Sequence, residues 1–278
     1  MYDYGARFYD PSIAQWNSVD PLAAKYPGYS SYNYVMGNPI KYIDPDGMQV
    51  DSPIYGTDGN FLGTDDQGIQ GRAIVMNSSD FTQGMSHSDA ESKDLGLGAI
   101  SSSGFANFMN HKSGLSSRPD YDGYVTISEG IDWARSHPNA MENPTADNTL
   151  YINTAKLDFG YIFEDDFPQV GVATPQNLFS ADNLLASVGD GNIRATTYAL
   201  GRVDMVLHDR TSREVSVVNN AAVGYDWNRG GGTMRSMFID TERARTGLND
   251  SHGFRASYYG RGTLANKRRR KLGLDRLQ

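Results

Sequence analysis

Apolar positions along this chain come in short runs, and their spacing changes from one region to the next. Up to about residue 50 the runs are two to four residues long and are broken by Tyr, Asn, Asp-Pro and Asp-Gly, as in GARFYDP, VDPLA, YNYVMGNP and YIDPDGM. Turns at that density leave no room for a long helix and predict short strands joined by turns. Over 51–122 the pattern thins. IYGTDGNFLG reads as a hairpin about Asp58-Gly59, a pair suited to a type I′ turn, and a short helix is expected near Asp89 to Lys93. SSSGF and GLSSRPDYDG lack apolar periodicity and read as flexible linker.

Regular periodicity begins near Tyr124. Thr126 and Glu129 stand in capping-box order, Ile127, Ile131 and Ala134 follow at helical spacing, and Pro138 ends the helix. LYINTAKLDF, RATTYALGRVDMVLHD and REVSVVNN alternate as strands of one antiparallel sheet, with Asp209 to Ser212 as the turn between the last two. A second helix starts at Thr233, presents Met234, Met237, Phe238 and Thr241 on one face, and stops at Gly247. GFRASYYGRGTL returns as a final strand. The expected class is α+β: a turn-rich β segment over 1–50, a connector over 51–122, and a domain over 123–278 with a mainly antiparallel sheet and two or three helices.

Composition narrows the chemistry. With 38% hydrophobic and 11% aromatic residues the chain has the makings of a folded core. No apolar run approaches the roughly 18 residues of a membrane span, and the first residues lack the basic start and apolar stretch of a secretory signal. Without cysteine there is no dependence on disulfides, no thiol nucleophile and no thiolate metal site. The net charge of −8 conceals an asymmetry: residues 201–278 carry 15 Lys/Arg against 8 Asp/Glu, or +7, and residues 1–200 carry 10 against 25, or −15. A basic end on an acidic chain favours a polyanionic partner.

Candidate chemistry gathers between Tyr225 and Arg261. Gly230, Gly231 and Gly232 run into the Thr233 helix start, a phosphate cradle flanked by Arg229 and Arg235. His252 sits between a helix end and a strand, placed to act as general acid or base. Alternation puts Arg255, Ser257, Tyr259 and Arg261 on one strand face, and Phe254, Ala256 and Tyr258 on the core face. His208, with Arg202 and Asp204, lies on one side of a neighbouring strand and is a possible partner for His252 across a cleft. HExxH, GxxxxGK[ST] and GxSxG are absent, and no metal or other cofactor is expected. The KRRRK run from Lys267 to Lys271 would add phosphate contacts without reading sequence. These features together read as a metal-independent nuclease acting on RNA, with DNA as the other candidate polymer. Action on membranes or on a protein target is the alternative, and a non-catalytic orphan cassette is the third reading.

The ordered series GARFYDP, VDPLA, YNYVMGNP and YIDPDGM, from Gly5 to Met48, resembles the closing piece of an Rhs-family polymorphic toxin core. The resemblance implies that residues 1–50 end a YD-repeat β-shell, that Met1 falls inside a larger module, and that a variable toxin cargo follows. It also implies aspartyl autoproteolysis, with Asp20 and Asp44 matching the two aspartates of the paired DP motifs and Met48 at the cut. Ala23 stands where the first motif has glycine. Further implications are interbacterial competition, a cognate immunity protein as partner, and delivery by a secretion system from a full-length Rhs protein. A fragment made alone would stay in the cytoplasm.

Overall fold

In the computed structural model the described residues are 2–3, 8–19, 30–32, 34, 52–187, 189–200, 202–219, 224–225 and 233–267. Asp20, Asp44, Met48, Arg229, Gly230, Gly231 and Gly232 lie outside them, as do the side chains of Thr233 and Arg235. The chain divides into two units, Met1–Tyr121 and Asp122–Gln278.

In the first unit, β1 (Tyr2–Asp3), β2 (Phe8–Asp10) and β3 (Gln15–Trp16) form an antiparallel meander, the short strands that the turn density predicts. Trp16 is buried edge-on against Tyr9 and Tyr34. A second sheet has the order β5-β4-β6, from β4 (Pro53–Gly56), β5 (Phe61–Thr64) and β6 (Ile74–Met76). The hairpin forms about Asp58-Gly59, but its turn is not type I′. Only Gly59 takes a positive φ, of 79°, while type I′ needs both central residues there. Instead Gly59 N–H closes on the Gly56 carbonyl at 2.9 Å and the Asp58 carboxylate accepts from Asn60 N–H at 3.1 Å.

The expected short helix is α1 (His87–Ser92), capped by the Ser86 hydroxyl, and Ala90 on its inner face packs with Ile54, Ile74 and Met76. The two stretches that read as linker are structured. SSSGF enters α2 (Phe105–Gly114), and past it Leu115 is buried while Arg118 grips the fully buried Asp120 at 2.9 Å through two guanidinium nitrogens. Their ordering comes from tertiary contacts, the Tyr55 to Phe108 edge-on ring pair among them, which no local periodicity announces.

The second unit opens on α3 (Ile127–Ser136) with the expected Thr126/Glu129 capping box, and Ile131, Trp133 and Ala134 turn inward. Two sheets follow. One has the order β13-β10-β9-β8, from β8 (Ala173–Asn177), β9 (Arg202–Asp209), β10 (Glu214–Val217) and β13 (Gly262–Thr263), and is antiparallel throughout. β9 alternates as the sequence indicates, with Val203, Met205 and Leu207 buried and Arg202, Asp204 and His208 turned away. The other sheet has the order β11-β12-β7, from β7 (Leu150–Asn153), β11 (Gly224–Tyr225) and β12 (Phe254–Tyr259). Here β7 runs parallel to β12, so LYIN does not join the β9–β10 hairpin as expected. Its partner lies about a hundred residues on, beyond the reach of local patterning.

A further departure is RATTYAL, which reads as strand and folds as the end of α5 (Gly191–Leu200). The Asp190 carboxylate accepts from Asn192 and Ile193 N–H groups and starts that helix, and Ile193, Thr196 and Thr197 are buried at helical spacing. α4 (Ala181–Ser187) precedes it. The second expected helix is α6 (Thr233–Thr246), and Gly247 closes it at φ 74° with its N–H on the Arg243 carbonyl. Met237, placed on its apolar face by periodicity, is 61% exposed. One core joins α3 and both sheets through residues such as Ile131, Ile152, Leu207, Val215, Phe254 and Tyr258. The α+β class is the one the pattern indicates, and the sheets are mostly antiparallel.

Candidate functional site

The strand β12 organises the site. Its core face carries Phe254, Ala256 and Tyr258, all buried, as alternation requires. The opposite face is not the solvated surface that the sequence suggests: Ser257 and Tyr259 are also buried, at 8% and 7% exposure. β12 is the middle strand of its sheet, and in register Arg255 faces Gly224, Ser257 faces Tyr151 and Tyr259 faces Asn153. Gly123 packs so closely over Tyr259 that a Cβ there would lie 2.5 Å from the phenol oxygen. Where β11 ends, the Asn219 side chain replaces a strand, its amide donating to the Tyr258 carbonyl at 2.5 Å and accepting from the Tyr258 N–H at 2.6 Å.

Within this buried polar layer two groups lack partners. Arg255 Nε and Ser257 Oγ are both buried without a hydrogen bond, and no ion pair of Arg255 occurs among the described residues. Side chains two apart on a strand project from the same face, about 7 Å apart. A half-buried guanidinium without a carboxylate partner among the described residues is expensive, and an anion is the group that would satisfy it together with a neighbouring hydroxyl. β11 ends at Tyr225 and α6 begins at Thr233, so in sequence the Arg229 to Gly232 segment connects the strand beside Arg255 to that helix.

His252 occupies the turn leading into β12. Its Nδ1 lies 2.7 Å from Asn249 Oδ1 and 3.1 Å from the Asn249 backbone N–H, which ties the imidazole to the turn and leaves Nε2 on the other side of the ring. His208 has a different neighbourhood, with Nε2 on Ser216 Oγ at 2.8 Å. Burial holds its pKa below the ordinary value, Arg261 acts in the same direction and Glu214 opposes them. Arg261 leaves the Arg255 face because Gly260 turns the chain at φ 68°, and it pairs with Glu214 at 2.7 Å. The two imidazoles thus have separate partners, and the described residues supply no hydrogen bond between them.

Sequence reasoning passed over Asn249 and a group in the first unit. Asp65, fully buried, lies 2.7 Å from His87 Nδ1, and His87 Nε2 faces Glu91 at 3.6 Å. The His-x-x-x-Glu spacing on a capped helix was the available signal. Among the described residues no group of three or more His, Asp and Glu side chains is arranged to hold a metal ion. Nor is any described helix long and apolar enough to cross a membrane.

Comparison with known proteins adds a toxin-related stretch. Over 48 residues, 17% of this chain, the sequence is 44% identical to the toxin subunit YenC2 of Yersinia entomophaga. The chain covers 5% of that relative's length. No family model and no solved structure matches.

Proposed function

We propose that the chain is a toxin-type effector cassette of the Rhs kind, in which residues 1–50 close a core module, 51–122 connect, and 123–278 form a cargo that cleaves RNA without a metal ion. The toxin-related stretch supports the class of protein. The observation that carries the chemistry is the partnerless pair on β12, Arg255 Nε and Ser257 Oγ, with His252 at the strand's entrance. In the proposed reaction Arg255 and Ser257 hold a phosphodiester oxygen. His252 Nε2 takes the proton of the ribose 2′-hydroxyl as that oxygen bonds to phosphorus, and the bond to the 5′-oxygen breaks with its electron pair on that oxygen, which takes a proton from water and leaves as a 5′-hydroxyl beside a cyclic 2′,3′-phosphate. Tyr259 packs against Gly123 in the same layer, and the basic final third draws in the polymer. An acidic immunity protein is the partner this charge would select.

Incubating the full chain with total RNA or plasmid DNA, in EDTA or in Mg²⁺, tests the reading. RNA is cleaved in EDTA and DNA is not, and His252→Ala or Arg255→Gln lowers the rate by roughly 10²–10⁴-fold. Intact RNA at micromolar protein in every condition would sink it.

A further inference from the structure

The first unit contains a run of charges that alternate in sign and that the RNase reading does not use. Asp65 follows β5, His87 and Glu91 stand four apart on α1, Arg72 precedes β6, and Asp94 follows α1. Asp65 Oδ2 meets His87 Nδ1 at 2.7 Å, and His87 Nε2 meets Glu91 Oε1 at 3.6 Å. Glu91 meets Arg72 Nη2 at 3.8 Å, and Arg72 Nη1 bonds Asp94. Asp94 in turn accepts from the backbone N–H groups of Val75 and Gly96, at 3.0 and 2.9 Å. Each contact fixes one end of α1 or the segment beside it.

A carboxylate on Nδ1 is the usual mark of a catalytic histidine, but the far side of this ring is closed. The His87 side chain is only 7% exposed, Nε2 is buried without a hydrogen bond, and the group it faces is Glu91. No substrate reaches that nitrogen. What the arrangement does respond to is a proton. With Nε2 protonated, the imidazolium lies between Asp65 and Glu91, with Asp66 accepting from the His87 backbone N–H at 2.9 Å. Because Asp65 keeps the Nδ1 proton, the proton that leaves is the one on Nε2, and its lone pair then points at the Glu91 carboxylate. Three carboxylates surround a neutral ring in that state, and Arg72 is shared between Glu91 and Asp94.

We propose that Asp65, His87, Glu91, Arg72 and Asp94 form a protonation-gated latch, which holds α1 while His87 carries both ring protons and releases it when the Nε2 proton leaves. Burial pulls the imidazole pKa down, but the Asp65 hydrogen bond and charge, then Glu91 and Asp66, outweigh it, and the net shift is upward. Burial likewise pushes Asp65 up against the opposing effect of His87. A group whose pKa rises on folding lends stability that is complete below its unfolded value and disappears as pH climbs through the folded one. For His87 that window opens above about 6.5. Asp65 has the same sign.

The test follows the His87 ring by NMR on the full chain while hydrogen exchange reads the amides of α1 and of Leu95, whose N–H bonds the Val75 carbonyl at 2.7 Å. His87 titrates above about 6.5, and protection, corrected for intrinsic exchange, falls along the same curve by about tenfold per unit of upward shift. His87→Gln keeps a donor for Asp65 but cannot titrate, and its protection is level across the range. Glu91→Gln leaves the fold intact, moves the His87 titration down and weakens the pH dependence. Protection that is unchanged from pH 5.5 to 9, an equal fall in His87→Gln, or a His87 titration at or below the ordinary value each overturns the latch. Should His87→Gln fail to fold, the Glu91→Gln curve decides alone.

Discussion

Gly123→Ala probes the polar layer under β12 through its tightest contact. Gly123 sits at φ 78°, a Cβ there would lie 2.5 Å from Tyr259 Oη and 2.9 Å from Asn153 Cβ, and the Gly123 carbonyl accepts from Asn153 N–H at 2.8 Å. The left-handed backbone costs an alanine roughly 1–2 kcal/mol. Forcing a methyl against two buried neighbours adds roughly 1–3 kcal/mol. The stiffer unfolded chain returns about 0.4–1 kcal/mol. The net loss is about 1–4.6 kcal/mol, which speeds exchange of globally protected β7 amides by about 5- to 2000-fold. Hydrogen exchange of Leu150–Asn153 suits a two-unit chain better than a single melting curve, since two-state behaviour does not hold across both units. Tyr259→Phe removes the atom closest to the new methyl, so the double variant should be about 1 kcal/mol more stable than the two single changes sum to. A Gly123→Ala effect under about 0.5 kcal/mol, or strict additivity with Tyr259→Phe, refutes the packing described for this layer.

Three further changes separate the roles of charged groups. Asp120→Ala strands Arg118 beside an empty buried position and should cost about 3–5 kcal/mol in urea unfolding of the first unit, far more than an exposed pair such as Arg135 and Asp132. Burial works to raise the Asp94 pKa, but the Val75 N–H, the Arg72 guanidinium and the Gly96 N–H together hold it below 3.8. Its stabilisation is therefore present above that value and lost as pH falls through the lower, folded one, and Asp94→Asn should flatten the acid limb of an unfolding titration. Arg255→Met should leave the second unit as stable as before, or more stable by about 1 kcal/mol, because it removes a half-buried charge that has no ion pair among the described residues. The same variant should abolish RNA cleavage, and a large loss of stability would mean that the guanidinium holds the fold instead.

Local chemistry was legible wherever one turn of helix or one strand decides the outcome. The capping box at Thr126, the stop at Gly247 and the alternation of β9 are all set by neighbours within a few residues. Legibility ended where a distant partner decides. β7 and β12 pair in parallel across the whole unit, and that pairing buries Ser257 and Tyr259 on what periodicity marks as an exposed face. RATTYAL misleads for a local reason instead: it alternates well enough for a strand, yet Asp190, four residues upstream of Arg194, caps it into a helix. In the site, His252 and Arg255 were visible as residue types, but the burial that makes Arg255 informative was not. The Asp65 and His87 pair joins segments 22 residues apart, and a turn aspartate gives no sign that it will lie fully buried.

The two units differ in how they treat buried charge, and the difference bears on where function lies. Among the described residues of the first unit three buried carboxylates each have a cationic or imidazole partner: Asp120 has Arg118, Asp94 has Arg72, and Asp65 has His87. Such pairs contribute little net stability over apolar packing, but removing one member is costly, so they hold a particular arrangement of segments. In the second unit the β12 layer leaves Arg255 Nε and Ser257 Oγ without complements on a strand buried on both sides. A guanidinium that is partly desolvated and has no ion pair among the described residues keeps a favourable interaction in reserve for a ligand. That reserve is anionic in its demand, follows in sequence an imidazole anchored by Asn249, and belongs to the basic third of the chain. The proton-responsive chemistry of the first unit and the anion-seeking chemistry of the second are therefore separable by mutation, since His87 and Arg255 share no partner among the described residues.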